Sequence, residues 1–167
     1  MSPLPELHLR VLGLLAEHLK DLPHLWALTG STSLALQGLP LTPHDIDLQT
    51  TKAGAFAMAR RLQPWVVQAP FFRRSRHTRS YWGLLRIRDL RVEMMGDIQH
   101  RRPDGGWYPV PDLSAHIVYV DIGDLHLPVL RLSYEARAYR RMGREQRAGE
   151  IERWLASLSA SAHVDQT

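Results

Sequence analysis

The order of apolar and polar positions along the 167-residue chain separates helices from strands before any residue is assigned a role. Residues 1–20 are Leu-rich but interrupted by Glu6, Arg10 and Glu17, which predicts one amphipathic helix. His24 to Thr29 predicts a first strand and Ser31 to Gln37 a short helix. Gly38-Leu39-Pro40 ends that helix, because proline cannot continue it and glycine suits the cap. A second strand is expected over Asp45 to Gln49. An Ala-rich helix follows over Lys52 to Leu62, with Phe56, Ala59 and Leu62 on one face, and then a short strand over Trp65 to Gln68. Tyr81 to Ile87 and Leu90 to Ile98 form two strands across a tight Arg88-Asp89 turn. Ile117 to Ile122 and Leu125 to Val129 form a further hairpin across Gly123-Asp124, which extends the sheet. From Ser133, a suitable N-cap with Glu135 in the first turn, two helices follow with a break near Met142-Gly143. The second carries an apolar stripe of Ala148, Ile151, Leu155 and Leu158, and Ala160 to Thr167 is expected to fray. The predicted class is α/β (α+β): a small mixed sheet with helices on one side and a C-terminal helical pair. The expected division is residues 1–132 for the main domain, 133–159 for the helical extension and 160–167 for the tail.

Candidate chemistry is concentrated between Trp26 and Leu48. A short apolar strand stops at Gly30-Ser31, a single helix follows, and the next strand carries Asp45 and Asp47. Side chains at i and i+2 of a strand share a face, with Cα atoms roughly 6.5 Å apart. Two carboxylates there can converge on one divalent cation. A Gly-Ser turn opening a helix offers backbone N–H groups and a hydroxyl to an anion. A phosphate cradle and a metal-binding edge within twenty residues of each other describe a nucleoside-triphosphate site. Each element also has a plainer reading. Asp-Ile-Asp is common at strand ends, and a serine before a helix commonly caps it.

The combination resembles the nucleotidyltransferase superfamily related to DNA polymerase β. Its signature is a Gly-Ser or Gly-Gly pair, a spacer of about a dozen residues, and Asp-h-Asp on a strand, where h is apolar. Thirteen residues separate Ser31 from Asp45. The wording Trp-Ala-Leu-Thr-Gly-Ser and Pro-His-Asp-Ile-Asp-Leu is most similar to the small bacterial and archaeal branch, which holds aminoglycoside and lincosamide adenylyltransferases and abortive-infection toxin-type nucleotidyltransferases. The resemblance implies metal-dependent transfer of a nucleoside monophosphate from an NTP to an acceptor hydroxyl, with release of pyrophosphate. It implies that Gly30 and Ser31 hold the β- and γ-phosphates. Asp45 and Asp47 would bind Mg²⁺ or Mn²⁺, and a third acidic residue on a neighbouring strand would complete the metal set or activate the nucleophile. Glu93 is that candidate: it lies inside the apolar run, whereas Asp97 comes near its end. Glu93 also reads as a partner for neighbouring Arg91. Three carboxylates brought together repel, so at least one should rise in pKa unless a cation neutralises them. Small relatives carry a basic run in the C-terminal helices, for which Arg140 and Arg147 are the candidates here. Acceptors in such a branch include small molecules, tRNA and protein. In antibiotic-modifying members a second subunit often completes the acceptor site, which leaves a homodimer open. The same fold also serves as an inactive nucleotide- or protein-binding module.

Composition narrows the setting. Hydrophobic residues make up 44% and charged residues 23% of the chain, as expected for a soluble globular protein. With no cysteine, neither a disulfide framework nor a Cys-based zinc site is available. The first helix is too interrupted for a signal peptide and no run approaches transmembrane length, so a cytoplasmic protein without a membrane partner is expected. Net charge is +4 with a pI near 9.8, and the only lysines are Lys20 and Lys52. Arginine clusters at Arg73, Arg74, Arg76 and Arg79, either as an anion-binding patch or as a solvated loop. Trp107 and Tyr108, in a turn-rich stretch between Gln99 and Leu113, offer stacking surfaces or pack locally. The nine histidines, His44 among them, read mostly as surface or satisfied core residues.

Overall fold

In the computed structural model, which describes residues 2–164, the chain runs through five helices and seven strands. Helix α1 (Glu6–Leu19) leads into β1 (Trp26–Thr29), α2 (Gly30–Leu36), β2 (Ile46–Thr50) and α3 (Lys52–Arg61). Then come β3 (Val66–Arg74), β4 (Thr78–Ile87), β5 (Leu90–His100), β6 (Ile117–Ile122), β7 (Leu125–Leu130), α4 (Leu132–Arg141) and α5 (Glu145–Val164). The strands form one mixed sheet in the order β3-β4-β5-β2-β1-β7-β6, with β2 parallel to β5 and β1 parallel to β7.

Period-two alternation decides what each face of the sheet buries. Leu28, Ile46, Leu48, Val92, Met94, Leu127 and Val129 point to one side, where Val11, Leu12, Leu15 and Leu19 of α1 and Met58 of α3 complete the main core. Positions 8, 11, 12, 15 and 19 of α1 fall on one helical stripe, which is why a Leu-rich segment with scattered charges folds this way. Ala27 and Leu130 point the other way, against Tyr134 and Ala138 of α4. Helices therefore cover both faces, not one as the sequence suggested, because α4 packs on the face opposite α1 and α3. Helix α5 closes over α4 through Ala148 and Ile151, with Leu34 and Leu39 joining the contact; Leu158 of the expected stripe is exposed.

Several boundaries differ from expectation for identifiable reasons. Strand β3 is nine residues long, so the arginine cluster belongs to the β3–β4 hairpin and not to a loop. The buried face of α3 is centred on Gly54, Ala55 and Met58, with Phe56 turned to Tyr81. Arg131, not Ser133, takes the N-cap position of α4 and makes no side-chain cap. Helix α5 continues through Ala160 to Val164, and residues 165–167 of the expected tail lie outside the described residues.

A bulge near the end of β5 redirects its side chains. The register passes from Tyr81↔Gly96 to Arg79↔Gln99, so β5 carries one extra residue, and Asp97 adopts φ +49° there. Its Oδ1 accepts the Lys52 N–H at 2.9 Å, capping α3 on the core side of the sheet. Gly96 lies directly under that helix start, where a Cβ would meet the Thr51 carbonyl at 2.8 Å and Lys52 Cα at 3.1 Å. Backbone cannot give way as a flexible side chain does. Gly96→Ala should therefore cost about 1–3 kcal/mol in urea unfolding with an unchanged m-value; an unaffected midpoint would show that α3 moves freely over β5.

Candidate active site

The α4-facing side of the sheet carries the acidic residues. Asp47 of β2 is paired in register with Glu93 of β5 on one side and with Thr29 of β1 on the other. Neighbouring strands lie about 4.8 Å apart, so these three positions form a short row across the sheet. Asp45 precedes the strand proper, and its carbonyl accepts the Thr32 hydroxyl of α2 at 2.6 Å. Ser31, His44, Asp45, Asp47 and Glu93 line one cavity of about 480 Å³, closed from the opposite side by Tyr139, Arg144 and Arg147.

Gly30 joins the two halves of this arrangement. Its φ is +70°, and a Cβ built there would lie 2.5 Å from Asp47 Oδ2. A left-handed turn and direct apposition to a carboxylate both require glycine. The Gly30 N–H does not face the cavity: it donates to Glu135 of α4, as does the Thr29 hydroxyl, at 2.6 Å. Of the pair expected to cradle phosphate, Gly30 contributes its missing side chain and Ser31 a hydroxyl with no protein hydrogen bond among the described residues. Thr29 takes the N-cap position of α2, so Ser31 is not the capping residue.

The carboxylates perturb one another. Asp47 is raised well above the usual carboxylate range, first by burial and then by the charges of Asp45 and Glu93. Glu93 is lowered: burial pushes it up, but hydrogen bonds from Arg91, Asp47 and Trp82 outweigh that. Arg91 reaches Glu93 Oε1 at 2.7 Å and Trp82 Nε1 donates to the same oxygen at 3.3 Å. The two neighbouring carboxyls are thus driven in opposite directions, Asp47 upward and Glu93 downward. Among the described residues no group of three or more His, Cys, Asp or Glu side chains is gathered to hold a metal ion. Asp45 and Asp47 nevertheless fit a hard cation, because Mg²⁺ is commonly held by one or two carboxylates together with substrate phosphates. Asp47, raised by burial and then by its neighbours' charge, is the group whose ionised form such a cation would favour.

Three participants carried no recognisable motif. Glu135 is fully buried at 1% exposure, and burial lifts it to about 8. Tyr139, four residues on, lines the cavity and is raised to about 12 by burial. Arg144 stacks over Tyr139 at 4.8 Å. His8 of α1 lies outside this cavity, buried beside the Asp45 backbone, and burial lowers its pKa. Of the two arginines considered for the nucleotide, Arg147 lines the cavity while pairing with Glu150 at 2.7 Å, whereas Arg140 lies outside it and pairs with Glu145 and Glu152.

The model of the family described as aminoglycoside-2''-adenylyltransferase matches residues 11–153. The chain belongs to that family. A solved nucleotidyltransferase-family structure from Thermotoga maritima is 37% identical, covering 92% of this chain and 96% of its own, with a TM-score of 0.81. The lincomycin-bound lincosamide antibiotic adenylyltransferase LnuA shares the fold at 13% identity and TM-score 0.53, over 89% of this chain and 98% of that one. The antibiotic-resistance factor ANT(2'')-Ia does so at 10% identity and TM-score 0.50, over 99% and 97%. No curated protein matches the chain. Family membership places the protein among the nucleotidyltransferases, as its Gly-Ser and Asp-Ile-Asp segments suggested. Among the described residues no helix is long and apolar enough to cross a membrane.

Two tests follow from the packing around Gly30. Folded protein keeps Glu135 neutral up to about pH 8, whereas the unfolded chain ionises it near 4.5. The unfolded state then binds fewer protons over that window, so stability falls as pH rises through it, by up to about 1.4 kcal/mol per pH unit. Unfolding measured in EDTA should show wild type losing this increment relative to Glu135→Gln between pH 4.5 and 8; parallel curves would refute the buried neutral carboxyl. Separately, Gly123 (φ +56°) has open space around its Cβ position. Gly123→Ala should cost only the left-handed penalty of about 1–2 kcal/mol, and Gly30→Ala distinctly more in the same unfolding assay.

Proposed function

We propose that the cavity transfers a nucleoside monophosphate from an NTP to a hydroxyl of a small-molecule acceptor. The observation that carries this reading is the pairing of Asp47 with Glu93 across adjacent parallel strands, opposite the open hydroxyl of Ser31. Family membership supports the same class of reaction. The acceptor oxygen forms a bond to the α-phosphorus, and the bond from that phosphorus to the α,β-bridging oxygen breaks. Pyrophosphate leaves with the electron pair.

Each residue has a part set by its surroundings. Ser31 and the turn it follows hold the β- and γ-phosphates, at a place where Gly30 leaves room. Arg144 and Arg147 face them from the helical side and offset the charge of the departing pyrophosphate. Asp45 and Asp47 are the residues that would hold Mg²⁺ or Mn²⁺ against the phosphates. When bound, that ion supplies charge neutralisation on the phosphate oxygens and aligns them for displacement. Glu93, kept ionised by Arg91 and Trp82, accepts the proton of the attacking hydroxyl.

The reading is tested by calorimetric titration with an NTP analogue that cannot be cleaved between the α- and β-phosphorus. Binding should require Mg²⁺ and should weaken at least tenfold in Asp45→Asn and Asp47→Asn. Transfer to an acceptor, followed as pyrophosphate release, should fall by about 10³-fold or more in either variant. Analogue binding that ignores both the metal and the two substitutions would sink the proposal.

A further inference from the structure

On the other side of α4 lies a second cavity, of about 520 Å³, that shares no lining residue with the first. His77 and Arg101, Arg102, Arg137, Arg140 and Arg141 supply its polar lining, and no carboxylate lines it. Arg140 is neutralised by Glu145 and Glu152, and Arg102 pairs with Asp104 at 3.1 Å. Arg101, Arg137 and Arg141 have no carboxylate partner among the described residues. The Nε of Arg101 is buried with no hydrogen-bond partner at all, which leaves a charged donor unsatisfied inside the protein. Such a group is costly unless something accepts from it.

Aromatic rings hold these guanidinium groups in place. Arg141 stacks on Tyr108 at 3.5 Å, and Arg102 approaches the same ring at 5.7 Å. Arg101 lies over Trp107 at 4.6 Å, beside Arg79 at the same distance. Stacking fixes the planar forks; Arg101 gives one N–H to the Gly105 carbonyl at 3.3 Å, and its remaining N–H groups and those of Arg137 and Arg141 can meet an oxyanion with little side-chain entropy left to lose. Positive potential in this region is also visible in His100, which is lowered to about 4 by burial and then by Arg141 and Arg137.

We propose that this cleft binds a phosphate-bearing anion at a place separate from the carboxylate cavity. Three unpaired guanidiniums call for more negative charge than one carboxylate carries, and a terminal phosphate supplies about −1.5 to −2 with three acceptor oxygens. The volume falls in the range of ligand pockets. The phosphate is carried either by a small molecule or by the end of an RNA strand.

Inorganic tripolyphosphate is the first probe, titrated calorimetrically into the full chain at 0.15 M salt without nucleotide or divalent metal. Binding should weaken at least tenfold in Arg137→Gln/Arg141→Gln and in Arg101→Gln. The site that depends on Arg101, Arg137 and Arg141 should persist in Arg144→Gln/Arg147→Gln, which alters the carboxylate cavity, and binding should change less than threefold in Arg60→Gln/Arg86→Gln, which removes the same charge elsewhere. Thermal melts establish that each variant is folded. A 5'-phosphorylated RNA oligonucleotide binding at least tenfold tighter than tripolyphosphate, with the same dependence on Arg101, assigns the polymer; equal or weaker binding assigns the small ion. No binding of either probe to wild type overturns the proposal. So does equal weakening in the control pair, which would mean diffuse charge only, or loss confined to Arg144→Gln/Arg147→Gln. Because no nucleotide or metal is present, failure here leaves the nucleotidyl-transfer reading standing, and failure of that reading leaves this one standing.

Discussion

The candidate site depends on one close approach: the α-carbon of Gly30 against the carboxylate of Asp47. Thr29 ends β1 in register with Asp47, and the chain must then turn away at once to begin α2. Any side chain at position 30 would occupy the space of the carboxylate oxygen. Everything around the contact is arranged to hold it. Glu135 accepts from the Thr29 hydroxyl and the Gly30 N–H, which fixes the turn from the α4 side. The Thr32 hydroxyl binds the Asp45 carbonyl, which fixes the approach to β2. Hydrogen bonds thus tie the turn to α4 on one side and to the start of β2 on the other.

That tethering gathers like charges. Asp45, Glu93 and Glu135 all act on Asp47, and two unit charges roughly 5 Å apart repel by about 3 kcal/mol at an effective dielectric near 20. Burial drives Asp47 upward and this repulsion adds to it, while Arg91 and Trp82 hold Glu93 down. The arrangement is thus asymmetric before any ligand arrives. A cation held by Asp45 and Asp47 would favour the ionised form of Asp47, which would couple metal affinity to pH through one residue.

The parts legible in the sequence are those whose information is local. The stripe at positions 8 to 19 of α1, the turn at Arg88-Asp89 and the second hairpin follow from periodicity and turn chemistry. The Gly-Ser and Asp-Ile-Asp segments are local as well, and they carried the family resemblance. Contacts that depend on tertiary packing could not be read. Nothing in the spacing of Glu135 tells that it is the buried partner of Thr29, 106 positions away. The bulge that diverts Asp97 onto the start of α3 leaves no mark in the apolar alternation of β5, although the position of Glu93 within that run was readable. The arginines at 73 to 79 looked like a loop because charge masked the strand pattern, yet Phe71 and Phe72 continue β3 into them.

Helix α4 shows how one short element serves two opposite electrostatic environments. Glu135 and Tyr139 are four residues apart and share a face, Glu135 buried against the Thr29-Gly30 turn and Tyr139 lining the carboxylate cavity. Arg137 and Arg141 are also four apart, about 200° round from the first pair, and line the arginine cleft. A helix without this phase relation would put buried acid and unpaired base on one side, where they would neutralise each other as an ordinary internal ion pair. Kept apart by the helix body, the acid holds the Gly30 turn while the bases remain available to an anion. The Gly143 turn lies against His77 of the arginine cleft and passes directly to Arg144 of the carboxylate cavity. Occupation of either cavity therefore bears on the same end of the same helix, a physical basis for coupling between them.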